Sequence, residues 1–105
     1  MPVATERVYW HVTFHPYRRS PVLWDEVEAY FYELVDDAAR RMGFQVVRLV
    51  AMPEHVHLLG EKPPWLDLRN VIAQTKGYTS RRILQRYPEL RVDMRSPGFW
   101  APDHH

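Results

Sequence analysis

Two apolar runs separated by Met52-Pro53-Glu54 restrict this chain more than any other feature. Gln45-Val46-Val47-Arg48-Leu49-Val50-Ala51 is rich in β-branched residues and reads as a strand, interior to a sheet because it is nearly all apolar. Pro53 breaks the run, and His55-Val56-His57-Leu58-Leu59-Gly60 resumes it at once. Strands this close in sequence pair as an antiparallel hairpin. Side chains two apart on a strand share a face, so His55 and His57 project together, and Val56 and Leu58 project the other way. Two neutral imidazoles side by side on a rigid strand can hold one divalent metal. Six histidines among 105 residues make a His-x-His spacing common by chance. The context is what gives it weight, because polar rings in an apolar strand are costly unless that face is used.

The rest of the composition narrows the function classes. One small domain spanning residues 1–105 is expected. Cysteine is absent, which removes disulfides, thiol nucleophiles and thiolate metal sites. The first residues lack the basic-then-apolar pattern of a secretion signal, and no apolar run approaches the roughly 20 residues of a membrane span. A cytoplasmic protein with no membrane partner is the expectation. Net charge is only +1, but it is segregated. Within residues 24–42 six acids face two arginines, leaving −4, whereas residues 69–95 carry seven cations against two acids, leaving +5. Six of those seven cations are arginines, which suit bidentate phosphate contact. The same charges would also fit a merely solvated helix face.

Taken in order, Arg7–Phe14 reads as a strand with Val8, Trp10, Val12 and Phe14 on an apolar face and Tyr9, His11, Thr13 and His15 on a polar one. A proline-bracketed loop follows, carrying Arg18 and Arg19. A helix is predicted from Asp25, with Asp25 and Glu28 forming a capping box and Gly43 as its stop. Val27, Tyr30, Phe31, Leu34, Val35, Ala38 and Met42 give it a core stripe. A second helix runs from near Asp67 to Tyr87, with Gly77 as an interruption. Leu68, Val71, Ile72, Thr75, Thr79 and Ile83 line its inner side, and Lys76, Arg81, Arg82 and Arg86 its exposed side. Ser96-Pro97-Gly98 marks a turn before Phe99-Trp100. The order is α+β, a ferredoxin-like β-α-β-β-α-(β) antiparallel sheet with two helices on one face. The open face would then carry His55, His57, Tyr9 and His11.

With these pieces in place the chain resembles the single-tyrosine HUH transposases of small bacterial insertion sequences and their REP-associated relatives. The resemblance rests on Tyr9-Trp10-His11-Val12-Thr13-Phe14, on Tyr17-Arg18-Arg19-Ser20-Pro21-Val22-Leu23 and on Met52-Pro53-Glu54-His55-Val56-His57-Leu58-Leu59. Lys76-Gly77-Tyr78-Thr79-Ser80-Arg81-Arg82 and Phe99-Trp100 complete it. The pieces lie in the family's order and cover nearly the whole chain; the proline-acid-histidine block is the specific one. The resemblance implies that His55 and His57 hold Mg or Mn, and that the metal polarises a DNA phosphate for attack by a tyrosine. It implies contact with single-stranded or hairpin DNA by Lys76, Arg81 and Arg82, with the Arg18-Arg19 loop as the next candidate, and it implies homodimers.

The resemblance also implies a nucleophilic tyrosine on a further helix beyond Phe99-Trp100, which supplies a third metal ligand. The sequence stops at His105, and neither Tyr78 nor Tyr87 matches that position. The expectation is therefore a C-terminally shortened chain that binds DNA without cutting it. Loss of a last strand would leave Arg7–Phe14 as an open edge that invites pairing with a second copy. Two other readings stand beside this one. A metal-binding or structural ferredoxin-like module would need no DNA. An RNA-binding sheet would need more stacking aromatics than Tyr9 on the open face.

Overall fold

The computed structural model describes residues 6–95 and 98–105. Ser96 and Pro97 of the expected turn, and the first five residues, lie outside them. The chain builds β1 (Val8–Phe14), a 3-10 turn at Tyr17–Arg19, α1 (Asp25–Met42), β2 (Gln45–Met52), β3 (His55–Lys62), α2 (Leu68–Arg86) and a short α3 (Glu89–Met94). This is the α+β, ferredoxin-like order expected, with α3 added.

The three strands form one antiparallel sheet in the order β1-β3-β2. The histidine strand β3 is therefore central, and β2 is an edge of the sheet rather than its interior. Its apolar content has a different cause. A bulge at Val47 breaks the register between Val46 and Arg48, and such an extra residue shifts the alternation of faces. Val46, Leu49 and Ala51 then pack on the core, while Arg48, Val50 and Met52 stand opposite Leu59, His57 and His55.

One face of the sheet is closed by the helices. Trp10, Val12 and Phe14 of β1 and Val56 and Leu58 of β3 are buried against Phe31, Leu34 and Val35 of α1 and Val71, Ile72 and Ile83 of α2. Val8, expected on this face, is 40% exposed at the strand's start. Gly60 faces the core with the Trp10 indole lying over it, so a methyl group there would sit 2.8 Å or less from three ring atoms.

The helix ends follow local chemistry with one exception. Gly43 closes α1 in the left-handed region at φ 89°, where glycine carries no Cβ penalty. At the other end the expected capping box does not form. Trp24 occupies the cap with no side-chain cap bond. Asp25 already lies inside the first turn, so its carboxylate cannot reach back to the free N–H groups. The acids of that turn, Asp25, Glu26 and Glu28, still complement the helix dipole. In α2 the Asp67 carboxylate accepts the N–H of Arg69 at 3.2 Å, and the helix runs through Gly77 without a break.

The last described residues return to the first strand. Thr13 and His105 exchange both backbone bonds, at 2.6 and 2.9 Å, and the Ala101 N–H donates to His15. The end of β1 at Thr13, and the chain after it as far as Tyr17, are therefore covered, against the expectation of a strand edge open along its whole length. The other flank of this segment is clamped by α2. The Trp100 indole donates to the Thr79 hydroxyl at 2.8 Å, and the Phe99 N–H donates to the Ser80 hydroxyl at 3.0 Å.

Candidate nucleic-acid and metal site

The open face of the sheet is a ladder of cross-strand rows. Tyr9, Glu61 and Gln45 form one row; His11, Leu59 and Arg48 the next; Thr13, His57 and Val50 the third; and His55 stands opposite Met52 at the end. The rings of His55 and His57 lie 5.0 Å apart, nearly perpendicular. His11 stacks on His57 from the neighbouring strand, 5.6 Å between centroids and 15° between planes. Diagonal neighbours across a sheet meet in this way.

Glu54, in the turn before β3, places Oε1 3.2 Å from His55 Nδ1. A carboxylate behind one ring nitrogen fixes the tautomer and leaves Nε2 free to bind a metal. His55 and His57 therefore fit a divalent ion as two neighbouring nitrogen ligands. Among the described residues no three His, Asp or Glu side chains converge closely enough to complete a site, so water or substrate oxygen would fill the remaining positions.

A recess of about 250 Å³ opens beside the pair, lined by Thr13, His15, Arg19, His55, His57 and His105. His105 arrives there through its backbone exchange with Thr13, which no local sequence signal announces. Asp103 stands behind His15 and His105, at 3.7 and 3.6 Å. Its own backbone N–H, followed by those two imidazoles and Lys76, holds its carboxyl below the ordinary value. A second recess on the same face is lined by His11, Arg48, Val50, His57 and Leu59. Arg48 was missed in the sequence although period two reaches it from Val50 and Met52, which the hairpin sets opposite His57 and His55.

The expected DNA-binding cations are dispersed. Arg19 lines the histidine recess, while the Arg18 guanidinium lies 5.8 Å from the Tyr17 ring. Arg81 and Arg82 are exposed on α2, well away in sequence from the histidines. Arg82 and Arg41 flank the Tyr78 ring at 5.3 and 5.1 Å. Lys76 does not stand on the exposed side as expected. Its ammonium donates to the carbonyls of Ala101 at 2.8 Å and Asp103 at 3.2 Å. Partial burial there pushes it below the usual lysine range.

Among the described residues no tyrosine lines the histidine recess. The Tyr78 hydroxyl donates to Asp37, which keeps the phenol above its ordinary value and the carboxyl below its own. The Tyr32 hydroxyl accepts the Ala51 N–H at 3.1 Å. Tyr30 and Tyr87 pack together around Arg86.

Comparison with known proteins bears directly on this arrangement. A profile of the family described as "Transposase IS200 like" matches residues 4–105. The ISDra2 transposase TnpA of Deinococcus radiodurans is 28% identical over 95 residues, which are 90% of this chain and 68% of that protein. The transposase for insertion sequence element IS200 of Salmonella typhimurium is 20% identical over 92 residues, 88% of this chain and 60% of that protein. The chain thus spans between three-fifths and about two-thirds of these relatives. Among solved structures, a candidate transposase from Deinococcus radiodurans superposes with a TM-score of 0.92 at 26% identity, over 100% of this chain and 81% of that one. A REP-associated tyrosine transposase bound to a REP hairpin shares the fold, with a TM-score of 0.62 at 18% identity, over 100% of this chain and 61% of that one.

Proposed function

This chain belongs to the IS200-like transposase family, and from that premise we propose that it binds single-stranded or hairpin DNA and presents one phosphate to a divalent metal held by His55 and His57. The observation that carries this reading is the pair of imidazoles on an open sheet face, rings 5.0 Å apart, with Glu54 behind His55. Mg or Mn bound there would act as a Lewis acid on the phosphate. The residues themselves present the two nitrogens, and Glu54 orients the first of them.

Binding along the strand falls to Arg81 and Arg82, with Arg19 at the recess and Arg18 next to it in the loop, while Lys76 stays committed to the carbonyls of Ala101 and Asp103. A solved relative by fold is bound to a REP hairpin, which supports hairpin DNA as the ligand class. Because no tyrosine of these residues lines the recess, we expect DNA binding without a covalent protein–DNA adduct. Two copies would pair along the part of β1 before Thr13, where Val8 and Tyr9 are exposed and backbone groups face outward. Among the described residues no helix is long and apolar enough to cross a membrane, and the proposed place of action is with DNA in the cytoplasm.

The test combines two titrations. Manganese should bind the unaltered chain weakly and His55→Ala/His57→Ala not at all; equal binding by both would remove the metal site. Affinity for a labelled hairpin oligonucleotide should fall steeply with salt. Replacing Arg81 and Arg82 together should flatten the log–log slope by roughly one to two units. An unchanged slope would move the contact off α2.

A further inference from the structure

Arg18 and Arg19 stand consecutively in the left-handed backbone region, at φ 58° and 53°. A residue with a Cβ loses stability there, which is why such positions usually go to glycine or asparagine. Strain of this kind persists only where the surroundings enforce it, and it collects at functional sites.

The enforcement is visible. The Tyr17 N–H donates to Phe99 at 2.9 Å, the Arg19 N–H to Pro16 at 2.8 Å, and the Leu23 N–H to Pro53 at 3.1 Å. The Ser20 hydroxyl closes the turn on Tyr17 at 3.0 Å. Pro53 belongs to the turn that launches the histidine strand, so the loop is tied to the element carrying His55 and His57. Leu23, fully buried, locks that tie into the core.

A turn built only for shape would place small residues at these two positions. Here both are arginines, and among the described residues no carboxylate pairs with the Arg19 guanidinium. Arg19 instead lines the recess of about 250 Å³ shared by His55 and His57. We propose that Arg19 clamps the DNA phosphate that enters this recess, and that the left-handed loop is retained, at some loss of stability, to aim it there. The planar fork of arginine offers two parallel N–H donors to a phosphate, beside the two imidazoles that would hold a divalent metal. The inference rests on the DNA reading above and adds to it the residue that positions the phosphate.

The decisive comparison is the unaltered chain against Arg19→Gly and Arg19→Lys, with a fluorescein-labelled hairpin oligonucleotide bearing a single-stranded flank, in manganese, over a salt series. Thermal melts are run on the same samples. Arg19→Gly should bind about tenfold more weakly with a salt slope lower by about one unit. Its Tm should be unchanged or raised by up to about 4 °C as the strain is released. Arg19→Lys should fall between the two in affinity. An Arg19→Gly protein that binds as tightly as the unaltered chain, with the same slope, refutes the clamp while leaving the DNA reading intact. So does one whose Tm falls by several degrees, because the side chain then serves the fold. Lysine equal to arginine refutes the two-point contact. Failure of the unaltered chain to bind the oligonucleotide at all refutes the DNA reading itself and the clamp with it.

Discussion

Gly60→Ala should destabilise this protein although it adds a single methyl group and improves the strand propensity of β3. The new Cβ would lie 2.5 Å from Trp10 Cε2 and 2.8 Å from Cη2, where ordinary contact begins at 3.4 Å. The ring atom Cζ2 lies closer still, so the indole must retreat by at least about 1 Å. It has little room, because Trp10 is 6% exposed and meets Phe44 edge-on at 5.5 Å. Overpacking of this kind costs about 1–3 kcal/mol. Full expulsion of the ring would forfeit about 5 kcal/mol, taking roughly 200 Å² of buried surface at about 25 cal/mol/Å². Relief of glycine's backbone entropy returns about 0.5–1 kcal/mol. A net loss of about 1–2 kcal/mol follows. With a urea slope of about 1–1.5 kcal/mol/M, the midpoint seen by circular dichroism should drop by about 0.7–2 M. The cause is tested by a double-mutant cycle with Trp10→Leu. In that background the methyl has space and should cost nearly nothing, leaving a coupling of about 1–2 kcal/mol. Equal costs of Gly60→Ala in both backgrounds would refute the clash as the reason for glycine here.

Three further outcomes are expected. Gly77→Ala should stabilise by about 0.5–1 kcal/mol and raise Tm by a few degrees, since α2 is continuous there and a Cβ meets nothing within 4 Å. Thr79→Val keeps the shape but strands the Trp100 indole N–H, so it should cost about 1–3 kcal/mol and make residues 98–105 more open to protease. Asp37→Asn should lower Tm at neutral pH, because the carboxylate, held below its ordinary 3.8 chiefly by the Tyr78 hydroxyl, contributes stability only while ionised. A depressed carboxylate loses that contribution as pH falls through its folded value. The gap between wild type and variant should therefore be constant above the ordinary value and close in acid, as melts from pH 7 to pH 2.5 would show.

The fold was legible where the sequence carried unambiguous punctuation. Gly43, Asp67 and Pro53 mark the ends of α1, the start of α2 and the hairpin turn, and each does so by its own backbone or side-chain chemistry. The alternation around His55 and His57 was likewise readable, because β3 is central, keeps strict period two and has one face buried. Legibility failed at β2, whose apolar run suggested an interior strand. An edge strand with a bulge has the same composition, and nothing local separates the two. Lys76 was misplaced for a related reason. Helical periodicity puts it on the outer side of α2, but that side is the docking surface for residues 98–105, a contact more than 20 residues away in sequence. His105 belongs to the histidine recess only through the same long-range pairing. The left-handed backbone at Arg18 and Arg19 was also invisible, since arginine is a poor predictor of that conformation.

The bulge at Val47 also insulates the histidine face from changes in chain length. Upstream of it, Val46 faces the core; downstream, so does Leu49, three residues later instead of two or four. The strand thus contains a half-period slip whose position is free to be taken up on the side of Gly43. The downstream segment is not free, because the two-residue turn at Pro53-Glu54 locks Met52 opposite His55 and Val50 opposite His57. A residue gained or lost between α1 and Val46 can therefore be absorbed at the slip without rotating Arg48, Val50 or Met52 off the open face. The geometry around the two imidazoles depends on a short piece of chain, residues 48–57, together with the strand it meets in β1. Drift in the length of the α1–β2 connection would leave it undisturbed, whereas a single insertion at Pro53-Glu54 would turn one wall of the site inside out.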